Sequence, residues 1–300
     1  MRAPPDDGFA LDRRAVRRAF ARAAATYDEF AVLQREVGKR MQQRLDYVKV
    51  APRVIVDAGC GTGAAIADLG ARYPLASIIG VDVALPMLAH AQARMKPKSW
   101  LARLGGRASP APALVCADIA ALPLRAASAG LVWSNLALQW IDDPAPALEE
   151  FARVLEVGGL VSFTTFGPDT LRELRAAFDD GRPHVSRFID MHDLGDALVA
   201  AGFADPVMDM ENITLTYATP RALLHELKAI GATNALAGRP RGLLGKGALA
   251  RVEAALERTR RDGRIAATFE VVYGHAWRAQ PRRTREGHAI LHFDPAAHKP

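Results

Sequence analysis

The segment RVIVDAGCGTG, residues 53–63, constrains this chain more than any other: a β-branched run closes on three glycines at alternate positions. Glycine lets the backbone take positive φ and pass close to a ligand. The expected reading is a short strand, a tight turn and a helix, and that alternation recurs. LASIIGVD (75–82), PALVCAD (112–118), GLVWSNLAL (130–138) and GGLVSFTTF (158–166) read as further strands. Helices are expected from Pro86 to Met95, with proline suited to a first turn, and over PALEEFARVL at 146–155. Strands alternating with helices mean an α/β fold around a mainly parallel sheet.

On the N-terminal side, residues 12–49 hold no Gly or Pro before Gly38 and read as one or two amphipathic helices. Residues 97–113 read as a basic surface insertion. Beyond the glycine-turn region, 167–234 is expected to carry two or three helices, with ENITLTY (211–217) as a strand. A helix over 247–262 and a last strand, ATFEVVYGHAW (267–277), follow, and the polar residues 280–300 read as a frayed tail.

Half of the 300 residues are hydrophobic and 24% are charged, which excludes a disordered or collagen-like chain. No apolar run approaches the roughly 20 residues of a membrane helix. Acids and prolines interrupt the first residues, MRAPPDDGFALDRRAVRRAF, which argues against a secretory signal or a presequence. Cys60 and Cys116 are too few for a disulfide framework or a thiolate metal site. A cytoplasmic protein without bound metal is expected. The net charge of +6 is uneven: residues 1–238 carry 26 Lys+Arg against 27 Asp+Glu, and residues 239–300 carry 13 against 6. The C-terminal excess suits an acidic partner. No nucleic-acid motif accompanies it.

The glycine turn has two readings. Gly59, Gly61 and Ala64 fit the dinucleotide pattern G-x-G-x-x-A. Asp57, however, stands two positions before the first glycine, at the mouth of the loop. An anion there opposes a diphosphate and suits a cationic ligand. Asp57-x-Gly59-x-Gly61-x-Gly63 after a first strand resembles the signature of class I S-adenosylmethionine-dependent methyltransferases. The resemblance implies that the loop wraps the methionine and ribose of S-adenosyl-L-methionine. It implies that Asp82, 19 residues beyond Gly63, holds the ribose hydroxyls and that Val83 beside it also binds the cofactor. It further implies that Asp118 accepts from the adenine amino group, that Ile119 packs on the ring, and that Asn135 and Leu136 lie beside the cofactor.

Other segments narrow the resemblance. FARAAATYDEFAVLQ (20–34), WSNLALQW (133–140), FTTFGPDTLREL (163–174), RPHVSRF (182–188), LKAIGATNA (227–235) and TFEVVYGHAW (268–277) are similar to the malonyl-acyl-carrier-protein O-methyltransferases of biotin synthesis. That family implies an N-terminal helical lid (1–50), a Rossmann-like cofactor core (51–166), a substrate- and carrier-facing helical insertion with the final strands (167–279) and a tail (280–300). It implies methyl transfer to the free carboxylate of a malonyl thioester on acyl carrier protein. No membrane or nucleic-acid partner is expected. A carboxylate is ionised at neutral pH and needs no base. Arg187, with His184 beside it in sequence, is the candidate to grip that anion, because a guanidinium forks onto a carboxylate. Tyr27 matches the lid position, where the resemblance implies that it covers the cofactor and excludes water. Lys228, Arg239, Arg241 and Lys246 are candidates for docking the acidic carrier, and Tyr273, His275 and Trp277 are assigned to core packing. Three alternatives remain open: a methyltransferase acting on a quinone or small acid, a related protein-arginine hydroxylase of complex assembly, and a non-catalytic scaffold that kept the pocket.

Overall fold

Strands β1 (Val54–Ala58) and β4 (Ala129–Ser134) are apolar almost throughout and lie side by side at the centre of the sheet. Continuous burial of this kind is what a strand covered on both faces requires. The computed structural model describes residues 9–96, 111–239, 242 and 244–280. In chain order the helices are α1 (Arg13–Ala23), α2 (Tyr27–Phe30), α3 (Val32–Arg44), α4 (Ala64–Arg72), α5 (Leu85–Met95), α6 (Ala145–Val154), α7 (Arg172–Ala177), α8 (Met191–Ala200), α9 (Pro220–Ala229) and α10 (Lys246–Glu257). The other strands are β2 (Ser77–Asp82), β3 (Ala113–Cys116), β5 (Leu155–Phe166), β6 (Phe203–Tyr217) and β7 (Ile265–Arg278).

Together the strands make one sheet of order β3-β2-β1-β4-β5-β7-β6, in which only β7 runs against its neighbours. Alternate residues feed two cores. Ile55, Leu131 and Leu160 face α3, α4, α7, α9 and α10, whereas Val56, Val132 and Val161 face α6 and α8. Strand order reverses between β1 and β4, and a ligand crevice is expected outside the carboxyl ends of strands at such a point. No helix among the described residues is long and apolar enough to cross a membrane.

Several boundaries differ from the sequence reading. The N-terminal helical stretch is split into three helices at Ala24–Thr26 and Ala31 although no breaker residue stands there. Contacts made by Asp28 hold α2 in place: it accepts from the Thr62 hydroxyl at 2.6 Å and pairs with Arg94. The WSNLAL strand stops at Ser134, because Leu136 takes φ of 50° while its N–H reaches Thr164. β6 starts eight residues earlier than ENITLTY, at Phe203. Asp205 and Pro206 hide that start, and the register shift between Ala204 and Val207 accommodates them on an edge strand as a bulge. Residues 97–110 of the basic insertion and 281–300 of the tail lie outside the described residues.

Candidate active site

The turn after β1 is built against β2 and β4. The N–H groups of Gly59 and Cys60 donate to the Val81 carbonyl at 2.8 and 3.0 Å. Gly59 has φ of +83°, and a Cβ there would stand 2.4 Å from the Ala137 Cβ, so no other residue fits this turn as it stands. Gly61 faces open space, its N–H donating to Asp82 Oδ2 at 2.9 Å. Gly63 caps α4 in the left-handed region with its Cα side packed on Ala91. Gly63 therefore serves helix packing and lines none of the cavities described below.

Two carboxylates flank this turn. Asp82 accepts from Gly61 N–H and, through Oδ1, from Ala84 N–H at 2.8 Å. Burial raises its pKa while these backbone donors oppose the rise. Asp57 is 2% exposed and its Oδ2 has no hydrogen-bond partner. Burial, and then the Asp82 charge, pushes its carboxyl up to about 7. A buried carboxylate oxygen without a donor, at the border of a pocket, suits a cationic ligand. Burial also pushes the Cys60 thiol far up, so it carries no nucleophile.

A cleft opens above the turn. Its wall includes Tyr27, Gly59, Gly61, Asp82, Val83, Asp118, Ile119, Asn135 and Leu136, so the structure brings together nine of the eleven expected cofactor residues. Asp57 borders an adjoining pocket under α2 and α3, shared with Tyr27, Gly59 and Gly61. The polar ends of Asn135 are already engaged: Nδ2 donates to the Gln34 carbonyl at 3.0 Å, and Oδ1 accepts from the Thr164 hydroxyl at 2.8 Å. Asn135 thus shapes the cleft by tying β4 to α3 and β5. Among the wall residues that went unmarked in the sequence are Arg13, Val16 and Phe20 of α1, and Trp140. Arg13, Val16 and Phe20 fall at i, i+3 and i+7, a spacing from which one helix face is legible.

A second cavity adjoins the first, and Phe20, Tyr27, Leu136 and Trp140 wall both. Its remaining lining is mostly apolar, including Phe166, Leu174, Phe188 and Phe269, with Gln34, Gln139 and Asn234 among the polar groups. No Lys or Arg among the described residues lines it. His184 does: its ring stacks on Phe178 at 3.7 Å, and Nε2 lies 2.9 Å from both Asp180 oxygens. Arg187 does not. Its guanidinium sits 4.3 Å over the Phe9 ring and lines a separate cleft of about 530 Å³. That cleft is larger than the other two, yet it holds neither the glycine turn nor its acids.

The expected docking cations are scattered. Lys228 is exposed on α9, and Lys246 opens α10. Arg239 is spent on Asp12, the N-cap of α1, at 3.2 Å. Arg241 lies outside the described residues. Tyr273 is buried on β7, and His275 has its pKa lowered by burial.

Sheet order, glycine turn and acid-flanked cleft define a class I S-adenosylmethionine-dependent methyltransferase. Residues 56–163 match the family described as "Methyltransferase domain". The chain is 55% identical to a malonyl-acyl-carrier-protein O-methyltransferase of Laribacter hongkongensis, over 97% of this chain and 99% of that one. It is 53% identical to the enzyme of that name from Gallionella capsiferriformans, over 94% and 97%. The chain belongs to the malonyl-acyl-carrier-protein O-methyltransferase family. Among solved structures it is similar to the YcgJ protein of Bacillus subtilis, at a TM-score of 0.55 and 14% identity over 80% of this chain and 98% of that one. A second likeness, to the cyclase SpnF, has a TM-score of 0.50 and 17% identity over 81% and 82%. At such identities the likeness is of fold alone, and a cyclase among them illustrates that fold does not fix chemistry.

Proposed function

We propose that this chain transfers a methyl group from S-adenosylmethionine to the free carboxylate of a malonyl unit held as a thioester on acyl carrier protein. The observation that carries this reading is the shared wall. Phe20, Tyr27, Leu136 and Trp140 border both the acid-flanked cleft and the apolar cavity, so a cofactor in one meets an acceptor in the other. Near-full-length identity to enzymes of that name supports the acceptor.

The residues present fit the cofactor: Asp57 offers an unpartnered buried oxygen to its cationic end, and Gly61 leaves space where any side chain would intrude. In this reading Asp82 takes the ribose hydroxyls and Asp118 the adenine amino group, with Ile119 against the ring. When bound, S-adenosylmethionine supplies a methyl group on a positively charged sulfur. The chain's own work is to orient and to dry. The acceptor carboxylate is ionised at neutral pH and is itself the nucleophile. Among the described residues lining the acceptor cavity, Tyr27 and His184 are the acid–base side chains. Burial and the Asp82 charge keep the Tyr27 phenol protonated, and His184 is committed to Asp180. Alignment and exclusion of water then supply the catalysis. The N-terminal helices serve as the lid, with Tyr27 where the cofactor cleft, the acceptor cavity and the Asp57 pocket meet. Methylation masks the charged end of the malonyl unit.

The test uses purified protein, methyl-labelled S-adenosylmethionine and three acceptors: malonyl-carrier protein, free malonate and a quinone precursor. Label is expected on the malonyl-carrier protein as a base-labile ester. Label on the quinone alone, or on nothing, overturns the reading.

A further inference from the structure

Every exposed residue of α1 is an arginine: Arg13, Arg14, Arg17, Arg18 and Arg22. Arg13 turns into the cofactor cleft and pairs with Asp118. Arg18 has a long contact with Asp12, at 3.8 Å. The side chains of Arg14, Arg17 and Arg22 make no ion pair or hydrogen bond among the described residues. Arg14, Arg18 and Arg22 follow one another at intervals of four, so they form one stripe of like charge, and α1 carries no acid in its first turn. Like charges at that spacing destabilise a helix. A stripe without internal compensation is suited to compensation from outside.

Its place in the fold says what it would meet. The opposite face of α1, with Phe20, walls both cavities. Beside the end of the stripe runs a groove between α1 and α9, floored by Ala19, Ala23 and Ala229 and rimmed by Arg22, His225 and Lys228. Lys228, like Arg22, has no partner among the described residues. Thr233 borders this groove and also the acceptor cavity. The basic groove therefore lies at the rim of the cavity proposed to take the malonyl group. By contrast, two C-terminal arginines are paired at short range within the chain: Arg239 with Asp12 and Arg260 with Glu257.

We propose that the arginine stripe of α1, with Lys228 of α9, is the docking surface for an acidic helix of the carrier protein, which presents its thioester arm at the groove beside Thr233. The proposal rests on the function proposed above. It moves the carrier surface from the basic residues 239–300 to the outer face of the lid, where docking and cavity closure involve the same helix. Arg14 to Arg22 spans about 12 Å at a rise of 1.5 Å per residue, the length of a short helix laid alongside.

The experiment compares the wild-type chain with Arg14→Glu/Arg18→Glu/Arg22→Glu, with the neutral set Arg14→Gln/Arg18→Gln/Arg22→Gln, and with Lys228→Glu. Circular dichroism and the Kd for adenosylhomocysteine check that each is folded, and the neutral set serves if charge reversal unfolds α1. Three quantities are read: the Kd for carrier protein lacking its arm, kcat/KM with malonyl-carrier protein, and kcat/KM with a short malonyl thioester. Charge reversal is expected to raise the carrier Kd and KM by about ten-fold or more and to flatten their salt dependence, with the short thioester unchanged. An unaltered carrier KM, or an equal loss on both substrates, overturns the surface. So does absence of wild-type affinity for the armless carrier, which would mean that the arm alone is recognised. Failure of the wild type to methylate any malonyl thioester sinks the proposed function instead, and the armless-carrier Kd still judges the surface.

Discussion

The guanidinium of Arg13, on the first helix, donates to the carboxylate of Asp118 beyond the end of the third strand. The acid proposed to recognise adenine is thus also one point at which the N-terminal helices are tied to the core. Its other oxygen accepts from Ala120 N–H at 2.9 Å. Both partners of the ion pair are about a third exposed or more, so the pair itself contributes no more than about 1 kcal/mol. Its replacement is expected to show as local opening. Arg13→Ala should speed amide exchange across 13–23 by a few-fold and leave the melting temperature nearly unchanged. Asp118→Ala should do the same and also weaken cofactor binding. Exchange rates unaltered in both variants would rule out the tie.

Gly59 and Gly61 predict opposite failures. An alanine at Gly59 places its Cβ 2.4 Å from that of Ala137, so the turn or the loop after β4 must move. Gly59→Ala is expected to lower the melting temperature by several degrees and abolish cofactor binding. At Gly61 nothing lies within 4 Å, and φ of +55° costs an L-residue about 1–2 kcal/mol. Gly61→Ala is expected to fold with modest loss of stability, yet to lose cofactor affinity because its methyl group enters the cleft. Thermal melts with calorimetric Kd values separate the two. Unimpaired binding by Gly61→Ala would place the ligand elsewhere.

Asp57 sets a pH dependence whose sign follows from burial. Its carboxyl is pushed from 3.8 to about 7 in the folded chain, so the folded state holds this proton more tightly than the unfolded one. The resulting stabilisation is complete below about pH 4 and is lost as pH rises through about 7. The ligand-free wild type should therefore lose more stability than Asp57→Asn over that interval. A cationic ligand favours the ionised form, so cofactor binding near pH 6.5 should release protons and tighten toward pH 8. Calorimetry in two buffers of different ionisation heat reads the proton count. Zero release in the wild type, or equal release in Asp57→Asn, would contradict the assignment.

How much of this was legible beforehand depends on the range of the forces involved. The glycine turn and Asp57, Asp82 and Asp118 stand where strands end on one side of the sheet, and the resemblance to the methyltransferase signature finds them. The start of β6 was hidden because a proline on an edge strand reads as a turn until its bulge is seen. Arg187 lies between Ser186 and Phe188, which both line the acceptor cavity, yet it turns to Phe9 instead. No local pattern tells which way a loop side chain faces. The charge count pointed to residues 239–300, where Arg239 and Arg260 are paired with Asp12 and Glu257.

Asp82 has two tasks that one substitution removes together. It braces the turn by accepting from Gly61 and Ala84 N–H, and it faces the cleft where the ribose is proposed to lie. Asp82→Ala is expected to weaken cofactor binding by roughly 1–3 kcal/mol, the range for losing hydrogen bonds to a charged group. Asp82→Asn keeps an acceptor oxygen and should fall between. A calorimetric Kd unchanged in both would leave the ribose assignment without support.

The acceptor cavity poses a charge problem, because it is proposed to hold a carboxylate and no Lys or Arg among the described residues lines it. A guanidinium there would repel the cofactor's sulfonium and quieten the nucleophile by pairing with it. Without one, the attraction on the acceptor anion comes from the bound cofactor, and dry apolar walls strengthen it. Two results follow. Arg187→Ala should keep kcat/KM for a short malonyl thioester within about three-fold, since its guanidinium lies over Phe9 in the neighbouring cleft. The same thioester should bind more weakly to the complex with adenosylhomocysteine, whose sulfur is neutral, than to one with an analogue bearing an amine at that position. A hundred-fold loss in Arg187→Ala with cofactor affinity intact, or equal thioester affinity in the two complexes, would return the anion to an arginine.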